Sequence, residues 1–266
     1  MIDIQKVMAN PDLRRIGKVV LYRPSVTSTN RVLFKMAETA TLQEGEGMAE
    51  GTVLIAEEQV AGRGRLNRVW VSPRGKGLWF SVYLCPEIPP EKTFLITFMG
   101  AVAVAEAVNG EYGVHSTIKW PNDVLIQGRK YCGVLTETRI IEKKLQFAIL
   151  GIGMNLNQTE QEITESYGPI ATSLRIVLHR PIDMQLLFES VLLQLDGYYD
   201  LLLQGEYDQI LSKWREYATF LGTEVTIVSE DEPHTGIARD VDDKGGIIIQ
   251  MRDGKERTFY SGDLFL

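Results

Sequence analysis

Val124-Leu125-Ile126-Gln127-Gly128-Arg129-Lys130-Tyr131-Cys132-Gly133-Val134-Leu135-Thr136-Glu137-Thr138 is the stretch that decides the fold. Two apolar and β-branched runs, Val124–Ile126 and Cys132–Thr138, flank the turn Gly128-Arg129-Lys130, and the pattern reads as a β-hairpin. A hairpin pairs its strands antiparallel, so the sheet that holds it is antiparallel or mixed. Further strand-like runs lie on either side: Thr52–Ala56, Leu78–Leu84, Thr117–Trp120 and Leu145–Ile152. Between them, Lys92–Asn109 carries Ala, Val, Phe and Met at helical spacing. Its apolar run, Phe94–Ala105, is too short to span a bilayer and reads as a buried helix. Helices are also expected over Asn30–Ala40, with Ser28, Thr29 or Asn30 at the N-cap, over Asp183–Gly205, and over Tyr207–Tyr217. The class is α+β: a mixed, largely antiparallel sheet packed with helices.

Residues 223–266 change character. Glu224–Val228, Thr235–Val241, Gly246–Met251 and Lys255–Tyr260 alternate with Asp/Gly turns, the spacing of a small five-stranded barrel or sandwich. A boundary near residue 221 divides the chain into 1–221 and 222–266.

Hydrophobic content of 44%, charged content of 24% and a net charge of −7 describe an ordinary globular chain. The negative charge argues against general affinity for DNA or an anionic membrane, both of which need a broad positive surface. Two cysteines, Cys85 and Cys132, are too few for a disulfide framework, and with His115, His179 and His234 they make no metal site. The start, Met1-Ile2-Asp3-Ile4-Gln5-Lys6, lacks a secretory signal, and a cytoplasmic location is expected.

Against that acidic background, Gly62–Lys76 holds five cations (Arg63, Arg65, Arg68, Arg74, Lys76) and no acid. Glycines among arginines allow close backbone approach to a ligand while guanidinium groups converge on it. The segment reads either as a pocket for a phosphorylated or carboxylated small molecule or as a solvated basic loop. Self-repulsion and few packing contacts predict that residues 62–77 are mobile until a ligand orders them.

Lys119-Trp120-Pro121-Asn122-Asp123 serves as a tight turn needing no function, or as an ammonium set against an aromatic wall. Lys130 would aim a second ammonium at the same region if its strand pairs there. Gly151-Ile152-Gly153-Met154-Asn155 is a bulge and turn, or a strand thinned for a flat ligand with Asn155 reaching a phosphate or ribose. Ser28-Thr29-Asn30 is a helix cap or a polar ligand site, and Gln59 offers an amide beside the basic loop. No Walker A loop, dinucleotide fingerprint or nucleophile elbow is present.

Taken in order, Ser28-Thr29-Asn30, Glu57 through Trp70, Lys119 through Asp123, Gly128 through Gly133 and Gly151 through Asn155 resemble biotin protein ligases. The likeness is specific across residues 28–155 and one of layout beyond. It implies a class II aminoacyl-tRNA synthetase-like catalytic fold with an SH3-like C-terminal barrel. It further implies ATP and biotin as substrates, Mg²⁺ accompanying ATP, and a biotin carboxyl carrier domain as acceptor. By the same resemblance Arg65, Lys119 and Lys130 are the catalytic cations. Ser28, Thr29, Asn30, Gln59, Gly62, Arg63, Gly64, Arg65, Lys130, Gly133, Gly151 and Gly153 would hold biotin. Arg63, Arg65, Arg68, Trp70, Lys119, Asn122 and Asn155 would hold ATP or the adenylate. No protein metal ligands are expected.

Two departures stand out: Asn67 replaces a frequent glycine, and no N-terminal winged-helix repressor domain is expected, so neither is DNA binding. Lipoate or octanoate ligases and transferases, and a non-catalytic biotin sensor, are the competing readings. Edge strands near Val134–Arg139 offer a surface for a homodimer or for the carrier.

Overall fold

The computed structural model describes residues 2–42 and 47–266. In chain order it contains α1 (Ile4–Met8), β1 (Val20–Arg23), α2 (Thr29–Leu42), β2 (Val53–Ala56), β3 (Gly77–Leu84), α3 (Phe94–Tyr112), β4 (Ser116–Lys119), β5 (Asp123–Ile126), β6 (Arg129–Ile141) and β7 (Lys144–Asn155). Then follow α4 (Glu160–Tyr167), α5 (Leu174–Leu178), α6 (Met184–Leu203), α7 (Tyr207–Tyr217), β8 (Glu224–Ser229), β9 (Glu232–Val241), β10 (Ile247–Met251), β11 (Glu256–Phe259) and β12 (Asp263–Phe265).

Seven strands form one sheet in the order β1-β2-β3-β7-β6-β5-β4. Every pairing is antiparallel except β1 with β2, so the sheet is mixed as expected. Alternation sorts its side chains: Val53, Ile55, Phe80 and Val82 face the main core with α3 and α6, while Leu54, Tyr83, Phe147 and Ile149 pack under α2. β3 lies inside the sheet, between β2 and β7, and is buried throughout.

The hairpin is tighter than its sequence suggested. The turn is Gln127-Gly128, both with positive φ (51° and 73°), and Arg129 and Lys130 already belong to β6. Two left-handed residues match the twist of the flanking strands. A bulge opens between Val124 and Leu125, whose partners are Cys132 and Lys130, and leaves Tyr131 unpaired. Tyr131 and Cys132 therefore both enter the core, and Lys130 and Gly133 share the opposite face. β5 covers only Arg129–Gly133 of the longer β6.

α3 corrects one expectation. With the turn before it, Pro90–Tyr112 is long and apolar enough by length and composition to cross a membrane. The fold uses it as a core helix, buried from Leu95 to Ala105 between the sheet and α6 and α7.

The last five strands form one antiparallel sheet, β11-β10-β9-β8-β12. Its inner residues Val225, Ile227, Ala238, Ile247, Ile249 and Leu264 join the main core. The carbonyl of Gly245, in its β9–β10 turn, accepts a 3.0 Å hydrogen bond from the buried Trp120 indole. The buried Asp196 of α6 accepts from the backbone amides of Arg14, Arg15 and Ile16 (2.6–3.0 Å), which fixes the chain entering β1.

Candidate functional site

One cavity of about 470 Å³ opens between the sheet, the Gly62–Lys76 segment and the C-terminal sheet. Among its walls are Ser28, Thr29, Asn30, Gln59, Arg63, Gly64, Arg65, Arg68, Trp70, Lys119, Asn122, Lys130, Gly133, Gly151, Gly153 and Asn155. Of the residues expected from sequence, Gly62 stands behind the wall. A Cβ there would lie 2.3 Å from the Trp70 carbonyl oxygen, so its glycine serves the loop's own backbone.

At one end the N-terminus of α2 meets the sheet. Gln59 Oε1 accepts from the Thr29 amide (2.8 Å) and hydroxyl (3.2 Å), and Gln59 Nε2 donates to Ser72 Oγ (2.8 Å). Ser81 Oγ sits 2.7 Å from Thr29 Oγ1 and 2.6 Å from Asn30 Oδ1. Asn30 Nδ2 donates to the Leu135 carbonyl and to Glu137. Side chains this interlocked present fixed donors and acceptors to whatever occupies that end.

At the other end the cations converge. Lys119 closes β4 opposite Asp123, which opens β5. The Asp123 carboxylate is 3.5 Å from Lys119 Nζ and also pairs with Lys130 Nζ, bringing two ammonium groups to one anion. Lys130 lies 5.0 Å from the Trp70 ring centroid, and the Arg65 guanidinium 5.9 Å from that of Trp120. Burial pulls the Arg65 pKa down from its usual range, while Asp123 and Asp263 pull it back up. Arg68 forms a bidentate pair with Asp263 at the start of β12, and this holds the Asp263 carboxyl below the ordinary carboxylate range. Arg65 also reaches the Gly262 carbonyl oxygen at 3.4 Å. Five cations and two carboxylates line the cavity, a formal excess of three positive charges in a chain of net −7.

The basic segment has more contacts than expected. Its acids come from elsewhere: Arg68 pairs with Asp263, Arg74 with Glu57 and Glu58, and Lys76 with Glu162. Its turn is held by Gly64 N–H to Arg68 O (2.8 Å) and Trp70 N–H to Gly62 O (2.9 Å). The left-handed residue there is Leu66 (φ 52°), next to Asn67, whose side chain lies outside the described part.

The wall glycines make room for protein groups. A Cβ on Gly151 would fall 2.0 Å from Asn30 Oδ1, and one on Gly153 2.4 Å from Trp70 Nε1. Trp70, expected on the nucleotide side, thus lies along the glycine-lined strand, edge-on to Tyr167 (6.3 Å), with no partner for its buried Nε1 among the described residues. Asn122 donates its amide to the Val134 carbonyl (2.7 Å), so this donor braces the turn. Asn155 is fully buried, and its Nδ2 has no partner among the described residues.

Sequence reasoning missed Asp123 as a counter-ion, the Gly262–Phe265 wall and the Tyr167–Ala171 wall. Asp123 was visible inside the quoted motif, as the residue facing Lys119 across a tight turn. Nothing local marks Asp263, which lies 195 residues from Arg68. Among the described residues, no group of three or more His, Cys, Asp or Glu side chains converges as a metal site would require.

A cluster of cations beside a polar, hydrogen-bonded slot suits a small anionic ligand that carries a polar group at its other end. A model described as the biotin/lipoate A/B protein ligase family matches residues 22–155, and one described as the biotin protein ligase C terminal domain matches 220–266. The chain belongs to the biotin/lipoate protein ligase family, on its biotin protein ligase branch. It is similar to the bifunctional ligase/repressor BirA of Bacillus subtilis, 33% identical over 251 residues, which cover 94% of this chain and 75% of the relative. It also resembles the biotin–[acetyl-CoA-carboxylase] ligase of Mycobacterium tuberculosis, 29% identical over 81% of this chain and 79% of that one. Among solved structures it superimposes on the biotin protein ligase from Aquifex aeolicus in complex with biotin and ATP. The TM-score is 0.74 and the identity 29%, with 93% of this chain and 98% of that one covered.

Proposed function

We infer that this chain is an ATP-dependent ligase that activates biotin and transfers it to protein. In the first step the biotin carboxylate attacks the α-phosphate of ATP, the α–β phosphoanhydride bond breaks, and biotinyl-5′-AMP and pyrophosphate form. In the second, the deprotonated ε-amine of an acceptor lysine attacks the acyl carbon, giving an amide and releasing AMP. The acceptor we propose is the carrier domain of a biotin-dependent carboxylase, with the reaction in the cytoplasm.

The observation that carries this reading is the convergence of Arg65, Lys119 and Lys130 on one cavity beside a polar slot. Two anions must meet in the first step, and fixed cations offset their repulsion and the charge that develops between them. We assign Arg63, Arg65 and Lys130 to the carboxylate and α-phosphate, and Arg68, Lys119 and Asn155 to the rest of the nucleotide. Ser28, Thr29 and Gln59 would hold the ureido ring, with Trp70 covering the site.

Asp123 is committed to two lysines, so Mg²⁺ would arrive on the phosphates and keep much of its water. Residues 1–221 are the proposed catalytic unit and 222–266 its C-terminal domain, a division supported by where the two family models match. The segment Val134–Arg139, beyond the reach of β5 and with its first residue already bonded to Asn122, is the proposed edge for a carrier domain or a second copy.

The test is biotin-dependent ATP–pyrophosphate exchange. Arg65→Ala and Lys130→Ala should each lose about 2–4 kcal/mol of transition-state stabilisation, a fall of roughly 30- to 1,000-fold. Exchange driven by lipoate and not by biotin would overturn the assignment.

A further inference from the structure

Ser81 of β3 is fully buried and stands outside the cavity wall. Ser81, Gly151 and Leu135 are register partners across β3, β7 and β6, and the bare Gly151 leaves room for the Asn30 amide to reach both of the others. The Ser81 hydroxyl makes two short contacts, 2.6 Å to Asn30 Oδ1 and 2.7 Å to Thr29 Oγ1. Its single proton cannot fill both.

The surroundings decide where that proton goes. Asn30 Nδ2 donates to the Leu135 carbonyl (3.1 Å) and to the Glu137 carboxylate (2.9 Å). Both groups only accept, so the amide cannot turn over, and Asn30 presents its oxygen to Ser81. An amide oxygen has no proton to give, so the Ser81 proton lies on the 2.6 Å contact. The 2.7 Å contact is then filled only if Thr29 donates to Ser81. Gln59 leaves Thr29 free to do so: its Oε1 already takes the Thr29 amide at 2.8 Å and stands farther from the hydroxyl, at 3.2 Å. With its proton held there, the hydroxyl of Thr29, on the cavity wall, can only accept from a ligand.

We propose that Ser81 is a positioning residue that sets the hydrogen-bond polarity of the slot. Backed by Asn30, it keeps the Thr29 proton away from the cavity, so the slot selects a ligand with an N–H at that point over one with an oxygen. That the ligand is biotin, whose urea ring carries two N–H groups, rests on the proposed function above. An oxygen in place of the N–H would face the lone pairs of Thr29 and be repelled.

The test is calorimetric titration with biotin and with its two carbamate analogues, each having one ring N–H replaced by oxygen. The analogue whose oxygen meets Thr29 should bind wild type at least about tenfold more weakly than biotin, and Thr29→Val should remove that disadvantage. Ser81→Ala leaves the Thr29 proton free to turn to the ring oxygen, and the preference for biotin should shrink by about fivefold or more. Asn30→Ala frees the Ser81 proton for Thr29, which releases the Thr29 proton in turn, and should shrink the preference likewise. In a Thr29→Val background neither change should alter the ratio of the two affinities. A purely structural role would weaken biotin and analogue in proportion and leave that ratio where it was. Such a result, a wild type without preference, or a ratio that shifts in the absence of the Thr29 hydroxyl would each overturn the proposal. Thermal denaturation shows whether the variants fold, and if Ser81→Ala does not, Asn30→Ala carries the same test. A wild type that binds biotin but lacks biotin-dependent exchange would sink the ligase reading, while the affinity ratios still decide the role of Ser81. A wild type that binds no biotin would overturn both.

Discussion

Gly151→Ala isolates a feature of the site that neither the motif nor the cavity volume conveys. The added methyl would fall 2.0 Å from Asn30 Oδ1, 2.7 Å from Cγ and 2.9 Å from Nδ2, where ordinary contact begins at 3.4 Å. Asn30 cannot simply retreat, because Ser81 and the Leu135 carbonyl, on the two strands that flank Gly151, and Glu137 hold it at 2.6–3.1 Å. Accommodating the methyl means withdrawing the Asn30 side chain from three hydrogen bonds in a buried place. At about 1 kcal/mol for each bond, with a further penalty for polar groups left unpaired, the loss is roughly 2–4 kcal/mol. For a chain of this size that lowers the melting temperature by about 4–16 °C. Gly133→Ala is the control. Its methyl would meet Trp70 Cζ3 at 3.2 Å and Lys130 Cε at 3.3 Å, the latter on a flexible chain that can yield. In an Asn30→Ala background Gly151→Ala should cost little, since the obstructing group is gone. Thermal denaturation of the four variants decides the matter. A Gly151→Ala protein that melts within about 2 °C of wild type, or one equally damaged in both backgrounds, would refute the reasoning.

Two further outcomes concern the acids that hold the cations. Asp263 titrates below the ordinary 3.8 because Arg68 stabilises its charged form; its contribution to stability is present above the unfolded-state value and is lost as pH falls through the folded one. Asp263→Asn should therefore flatten stability against pH below about pH 4, by no more than about 1 kcal/mol given that Arg68 is 61% exposed, as urea titrations across that range would register. Asp123→Asn removes the charge shared by Lys119 and Lys130, and misplaced ammonium groups should slow single-turnover adenylate formation by about 10- to 100-fold. An unchanged rate would mean that Asp123 does not position them.

What could be read from sequence followed from how far apart the interacting residues lie. The β5–β6 hairpin was legible because its turn chemistry is local, and α3 because one long apolar run is unmistakable. β1 was missed because four residues, one buried, two half-buried and one exposed, give no usable period, and α4 because only Ile163 of its eight residues is buried. Most of the expected site residues do reach one cavity, since the segments carrying them are joined through neighbouring strands. The bulge at Tyr131 was invisible, yet it decides that Lys130 and Gly133 share a face. Self-repulsion within the basic segment is smaller than expected for a related reason. Counting charges within residues 62–76 omits Glu57 and Glu58 just before it, and Glu162 and Asp263 far beyond it.

Those distant acids also account for how a site can be strongly cationic and still fold. Two unit charges of one sign 4 Å apart repel by about 4 kcal/mol at an effective dielectric of 20, so five unneutralised cations around a cavity of about 470 Å³ would oppose their own assembly. Asp123 and Asp263 reduce that repulsion without cancelling it. They also stand at different places in the chain: Asp123 ties together the ends of two adjacent strands, while Asp263 ties the basic segment to the C-terminal sheet. With Trp120 bonded to the Gly245 carbonyl and Arg65 reaching the Gly262 carbonyl, three contacts join the C-terminal sheet to the cation cluster. Loss of that sheet would leave Arg65 and Arg68 without part of what places them. The small terminal sheet is thus a wall of the site, and the charge excess that remains after its acids are counted is what an incoming anion meets.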